Sequence, residues 1–235
     1  MRMKRVTFLT TVTVVIALVS VLAAPALHAA PRKQPVLTPS PELLDAALAG
    51  AAKGVEEIIF AERNNGHDGH WYANFAYYAR SDSEKAYGPP GARLLRLNLR
   101  TGKTAVILAD PNGSIRDPQV NYDGKRVIFA YRRGGSEHFH LYEIQIDGSG
   151  LRQVTPDAPY DDFEPTYMPD GGIVFVSSRC KRWVNCWLTQ VAVLYRCDAD
   201  GSNLRPISSN NEQDNTPWPL PDGRLLYTRW EYVDR

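Results

Sequence analysis

The chain has 235 residues, with 27 basic and 26 acidic side chains. That near-balance gives no basic footprint of the kind nucleic-acid binding requires. Its three cysteines form no Cys-x-x-Cys-His sequence, which excludes a covalently attached c-type haem within these residues.

Residues 1–29 have the build of a secretory signal peptide: the basic start Met1-Arg2-Met3-Lys4-Arg5, an apolar stretch from Val6 to about Ala26, and small residues around Ala29. The stretch is long enough to approach a membrane span, so an uncleaved anchor is the competing reading. Thr7, Thr10, Thr11, Thr13 and Ser20, with the Ala-rich end, favour cleavage. Loss of the three basic residues in 1–29 leaves 24 basic against 26 acidic side chains, a net charge of −2. The expected mature protein is periplasmic or secreted, and free of the membrane once cleaved.

Residues 30–54 come next as a Pro-rich tether and a short helix. Ser40-Pro41-Glu42 supplies a capping serine and a proline for the first turn. Leu43, Leu44, Ala47, Leu48 and Ala51 make an apolar face expected to dock on the strand-rich region after residue 54.

From residue 55 to 235 one phrase recurs. Asp117-Pro118-Gln119-Val120-Asn121-Tyr122-Asp123-Gly124 precedes Val127-Ile128-Phe129-Ala130-Tyr131. Glu164-Pro165-Thr166-Tyr167-Met168-Pro169-Asp170-Gly171 precedes Ile173 to Val176, and Asn215-Thr216-Pro217-Trp218-Pro219-Leu220-Pro221-Asp222-Gly223 precedes Leu225 to Thr228. The Asp-Gly steps lie 47 and then 52 positions apart, a period that signals stacked β units. Each phrase reads as a hairpin, because Asp-Gly supplies the positive φ of a tight turn. A second hairpin phrase, Leu141 to Thr155 and again Leu194 to Ser208, gives four strands per period, the content of a propeller blade. Val127–Tyr131 and Ile173–Val176 are apolar without alternation, as strands covered on both faces are. An earlier copy shows only the second, third and fourth strands (Glu57–Arg63, Leu94–Lys103, Ala105–Leu108), split by a polar and aromatic insertion from Asn64 to Pro90. The expected fold is all-β: an open propeller of about three four-stranded blades plus one further hairpin. Closed propellers carry about four to eight blades. The chain therefore reads as the N-terminal part of a longer protein or as a truncated reading frame, with blade faces and an edge strand left to a protein partner or the missing remainder.

The chemistry on offer is sparse. His67 and His70 in the insertion, and His138 and His140 entering a strand, are candidate metal ligands; His138-Phe139-His140 puts both imidazoles on one side. The alternative is polar loop histidines at a blade edge. Cys180 and Cys186 flank a short loop that a disulfide could close, whereas Cys197 stands where Ile144 and Leu97 stand and reads as a core residue. The Asp-Gly aspartates recur at every corner and read as turn formers. No nucleophile elbow, phosphate-cradling glycine loop or zinc-protease helix is present, so no catalytic residue and no cofactor are assigned. Trp71, Tyr72, Trp183 and Trp187 in loops are candidates for a partner or ligand surface; the alternative is that they plug against a neighbouring domain.

The phrases Pro165–Gly171 and Pro217–Gly223, with Asp147–Thr155 and Asp200–Ser208, resemble the hallmarks of TolB-like propeller repeats, and the likeness runs from Glu57 to Arg235. Residues 180–187 (Cys-Lys-Arg-Trp-Val-Asn-Cys-Trp), 210–218 (Asn-Asn-Glu-Gln-Asp-Asn-Thr-Pro-Trp) and 227–235 (Tyr-Thr-Arg-Trp-Glu-Tyr-Val-Asp-Arg) resemble the N-terminal propeller region of hydrazine-synthase-alpha-like proteins of planctomycete-type bacteria. That resemblance implies a lineage in which later domains carry c-type haems and the chemistry. No haem-ligating residue carries over to this chain. The expectation is an exported non-catalytic scaffold or binding module. The alternative is the propeller part of a periplasmic haem oxidoreductase, and a propeller-gated hydrolase is a third possibility.

Overall fold

The computed structural model describes residues 40–64, 79–81, 84–85, 87–185 and 188–232. Helix α1 (Pro41–Ala49) begins as its sequence dictates. Ser40 Oγ accepts the Leu43 N–H at 3.3 Å, satisfying one of the donors a helix start leaves open. The helix buries none of its residues, and Leu43 is 74% exposed, so its expected docking face is not buried. No helix of the described residues is long and apolar enough to cross a membrane.

The strands are β1 (Glu57–Arg63), β2 (Ala79–Ser81), β3 (Glu84–Lys85), β4 (Ala92–Asn98), β5 (Thr104–Asp110), β6 (Ser114–Val120), β7 (Arg126–Arg132) and β8 (His140–Gln145). They continue with β9 (Arg152–Gln153), β10 (Asp162–Tyr167), β11 (Ile173–Ser177), β12 (Val193–Cys197), β13 (Arg205–Pro206), β14 (Asp214–Pro219) and β15 (Leu225–Arg229). They form antiparallel sheets in the orders β1-β4-β5, β6-β7-β8-β9, β10-β11-β12-β13 and β14-β15, with β2 and β3 pairing inside the insertion. The first sheet is three-stranded among the described residues and the last is a hairpin, so the repeats read from the sequence are the blades observed.

Strand β7 explains the missing alternation. Val127 and Phe129 are fully buried against Ala92, Leu94 and Ile107 of the first sheet. Ile128 and Ala130 are equally buried on the opposite side, against Phe163, Ile173 and Phe175 of the third. Each fully covered aliphatic or aromatic side chain contributes about 1.5–3 kcal/mol relative to exposure. Cys197 occupies such a site as expected: it is fully buried opposite Ile173, and burial pushes its thiol up to about 12.

Local bonds repeat with the sequence. Asp123, Asp147, Asp170, Asp200 and Asp222 each accept the N–H two residues on, at 2.7 to 3.1 Å, which is the turn-forming role expected of them. The hydroxyls of Thr155 and Ser208 accept the N–H groups of Leu141 and Leu194 at 2.9 and 3.0 Å. The hallmark hydroxyl thus supplies a ladder bond where the short fourth strand ends.

Two glycines show different demands. Gly124 has φ of 67° in open space, whereas Gly201 has φ of 89° and an added Cβ would collide with the Val154 carbonyl oxygen of the preceding blade. We expect Gly124→Ala to cost about 1–2 kcal/mol, the penalty of left-handed backbone for a residue with a Cβ. Gly201→Ala should cost more, because the blades must also part. Urea midpoints of the two variants test this, and equal losses would refute the blade contact.

Candidate functional site at the inner strands

The inner strands β6, β10 and β14 share one irregularity. Their registers shift between Arg116 and Gln119, Phe163 and Thr166, and Asn215 and Trp218. At each shift one residue takes left-handed backbone: Asp117 (φ 55°), Glu164 (φ 48°) and Thr216 (φ 52°). A proline comes next every time, so the position displaced from the ladder carries no unmet N–H. Positive φ on residues with a Cβ is uncommon, and it persists only where the surroundings hold it.

What holds it is a bond from blade to blade. Asp117 Oδ2 accepts the N–H of Glu164 at 3.2 Å, across 47 residues. Glu164 Oε2 accepts the N–H of Thr216, across 52 residues. These spacings are those of the repeat itself, so each carboxylate caps the equivalent residue of the next copy. Arg116, buried, donates from Nε to Asp117 at 2.6 Å, and its Nη2 lies 3.8 Å from Glu164 Oε1. Its guanidinium also sits 4.7 Å from the Phe163 ring centroid. Asp117 and Glu164 line a cavity of about 280 Å³ walled by Pro118, Pro165, Pro217 and Trp218. Burial, then the neighbouring Asp117 carboxylate, push the Glu164 carboxyl up to about 7, while Arg116 and the Thr216 N–H oppose them. This cluster escaped the sequence reading, which took the repeated phrase as hairpin geometry. Its available signal was the Asp-Pro and Glu-Pro steps at the repeat spacing.

The histidines lie elsewhere, beside a polar cavity of about 480 Å³ lined by the 133–138 loop, His140, Tyr142, Gln153 and Asp157. Both imidazoles do face one way. His138 Nδ1 is 3.6 Å from Asp161 Oδ1, and His140 Nδ1 is 3.6 Å from Asp162 Oδ2. The two carboxylates are engaged already: Asp161 accepts from Tyr87 Oη at 2.7 Å and the Phe139 N–H at 3.0 Å, and Asp162 takes both oxygens to Arg179 at 2.8 Å. Among the described residues no three His, Cys, Asp or Glu side chains gather as metal ligands. Trp183 is half-buried and bridges Gln190, and the Cys180 thiol is free, donating to the Val191 carbonyl at 3.2 Å. His67, His70, Trp71, Tyr72, Cys186 and Trp187 lie outside the described residues.

The raised Glu164 carboxyl makes stability depend on pH. Its folded value lies above the ordinary 4.5, so its contribution to stability is complete below about 4.5 and is lost as pH rises through about 7. Glu164→Gln keeps an oxygen for the Thr216 N–H and removes the charge. Between pH 5 and 8 the denaturation midpoint of the wild type should fall relative to that of the variant. Parallel profiles would show that Glu164 does not titrate there.

No protein-family model matches the chain. Over 149 residues, 60% of this chain and 17% of that protein, it is 30% identical to hydrazine synthase subunit alpha of Kuenenia stuttgartiensis. The Kuenenia stuttgartiensis hydrazine synthase structure aligns with a TM-score of 0.59 and 22% identity, covering 73% of this chain and 27% of that one. TolB from Acinetobacter baumannii aligns with a TM-score of 0.47 and 17% identity, over 60% of this chain and 32% of that one. The chain spans 17% of the length of that subunit; it is similar in sequence to a part of hydrazine synthase alpha and shares a fold of antiparallel propeller sheets with the hydrazine synthase structure.

Proposed function

We propose that the chain is an exported propeller segment acting as a scaffold or protein-binding module, without catalysis of its own. The observation that carries this is an open blade face. Trp218 and Leu226 stand opposite each other on β14–β15 and are 55% and 62% exposed. Their equivalents one blade earlier, Thr166 and Val174, form the same cross-strand pair and are buried. An apolar face that the preceding blades cover, left open here, is a surface suited to a protein partner. Export rests on the signal-like residues 1–29.

A second reading has its own support in the identity with hydrazine synthase alpha: the chain is the propeller part of a larger periplasmic redox enzyme, whose c-type haem chemistry lies in further domains. A longer transcript encoding Cys-x-x-Cys-His downstream of Arg235 supports this reading, and a stop codon there removes it.

The binding role is tested with the chain immobilised and envelope extract passed over it. The double variant Trp218→Glu/Leu226→Glu should keep the far-UV spectrum and lose at least tenfold in specifically retained protein. Equal retention by wild type and variant would sink the proposed surface.

A further inference from the structure

We propose that Asn112 is a site of spontaneous deamidation, and that the carboxylate so formed loosens the joint between the first and second blades. Asn112 is exposed in the turn that carries the chain from β5 into β6. Among the described residues it is the one asparagine that a glycine follows. The reaction needs that neighbour, because the backbone nitrogen of the next residue must close a ring on the side-chain amide carbon. Glycine brings no Cβ to obstruct the closure. The Gly113 N–H is also loosely held, 3.4 Å from the Asp110 carbonyl oxygen, beyond the usual hydrogen-bond range.

Other candidates lack one requirement or the other. Asn64 Nδ2 donates to the Pro90 carbonyl and Asn203 Nδ2 to Asp198, while Asn98 and Asn121 accept backbone N–H groups through Oδ1. Asn211 has a free amide, but Glu212 follows it. The five Asp-Gly corners have glycines in place, but their carboxylates are turned to the N–H two residues on. The Asn112 side-chain amide makes no hydrogen bond to a described residue; its backbone N–H is what is bonded, to Asp110 Oδ1 at 2.9 Å.

The step balances with water alone. The Gly113 nitrogen attacks Asn112 Cγ, the Cγ–Nδ2 bond breaks, and the displaced N–H proton leaves with the ammonia. One water then opens the succinimide at either carbonyl, giving aspartate or isoaspartate, and nothing is oxidised or reduced.

The position gives the change its effect. The Asp110 carboxylate ties β5 to the loop after β7, accepting the Tyr131 hydroxyl at 2.6 Å and the Gly134 N–H at 2.8 Å. Asn112 lies against the same loop, where a Cβ added to Gly134 would come within 2.8 Å of the Asn112 Cβ. A carboxylate at 112 sets a like charge beside Asp110. Isoaspartate also reroutes the main chain through the side-chain carbon.

Full-length chain is aged in mildly alkaline buffer, and its tryptic peptides are compared with those of fresh protein by mass spectrometry. Peptide 104–116, bounded by Lys103 and Arg116, should gain the mass of an amide-to-acid exchange at Asn112. The gain should be at least tenfold faster there than at any other described asparagine. It should quicken as pH rises, because the attacking nitrogen must shed its proton. Asn112→Gln, whose longer side chain closes the ring poorly, should abolish it. Exchange of the Gly134 amide should be several-fold faster in aged wild type and in Asn112→Asp than in fresh protein. A folded chain that gains nothing at Asn112, or an Asn112→Gln variant that gains as much as wild type, overturns the site. Equal Gly134 exchange in fresh and fully converted chains overturns the loosened joint.

Discussion

A sheet that is apolar on both sides cannot rest in water, and everything else in this structure depends on that constraint. In β7 and β11 successive residues, not alternate ones, are fully buried. Such strands are stable only between neighbours, so the chain repeats its sheet and each blade becomes the cover of the one before. The cost falls on the two ends, where Ile58 and Leu226 hold the positions that interior blades bury. Apolar faces of this kind need a cover wherever they end a row of blades.

The second organising element is electrostatic and sits where the blades converge. A carboxylate from one inner strand accepts the backbone N–H of the next, first from Asp117 to Glu164 and then from Glu164 to Thr216. Two acids so placed repel each other, and Arg116 answers from its buried position over Phe163. The third copy carries Thr216 in place of an acid, and its hydroxyl turns to Thr228 Oγ1 at 2.9 Å. The series of carboxylate bonds is thus confined to two steps, both passing through Glu164.

Most of the fold was legible in the sequence because its signals are local. Asp-Gly corners, the apolar runs after them and the Ser40-Pro41 start each state their conformation within a few residues. Cys197 was legible as core by its place in the repeat, and β1 by its likeness to β7. The inner-strand cluster was not read, since its bonds join residues 47 and 52 apart and depend on a left-handed backbone that no single residue announces. The same holds for the histidines: their spacing shows that they share a side, but only the fold shows the engaged carboxylates, Asp161 and Asp162, that await them there.

The glycine contacts carry a consequence for how such a protein can diversify. Gly148 and Gly201 press the turn between third and fourth strands onto the backbone of the preceding blade, at Ile107 and Val154. Those two turns have no room for growth, whereas the Asp-Gly corners at Gly124, Gly171 and Gly223 lie in open space. The connections from second to third strand, 64–91, 133–139 and 178–192, differ several-fold in length. The turns at Gly148 and Gly201 are thus closed to added bulk by contact between neighbouring blades, while the second-to-third-strand connections accommodate segments of very different length.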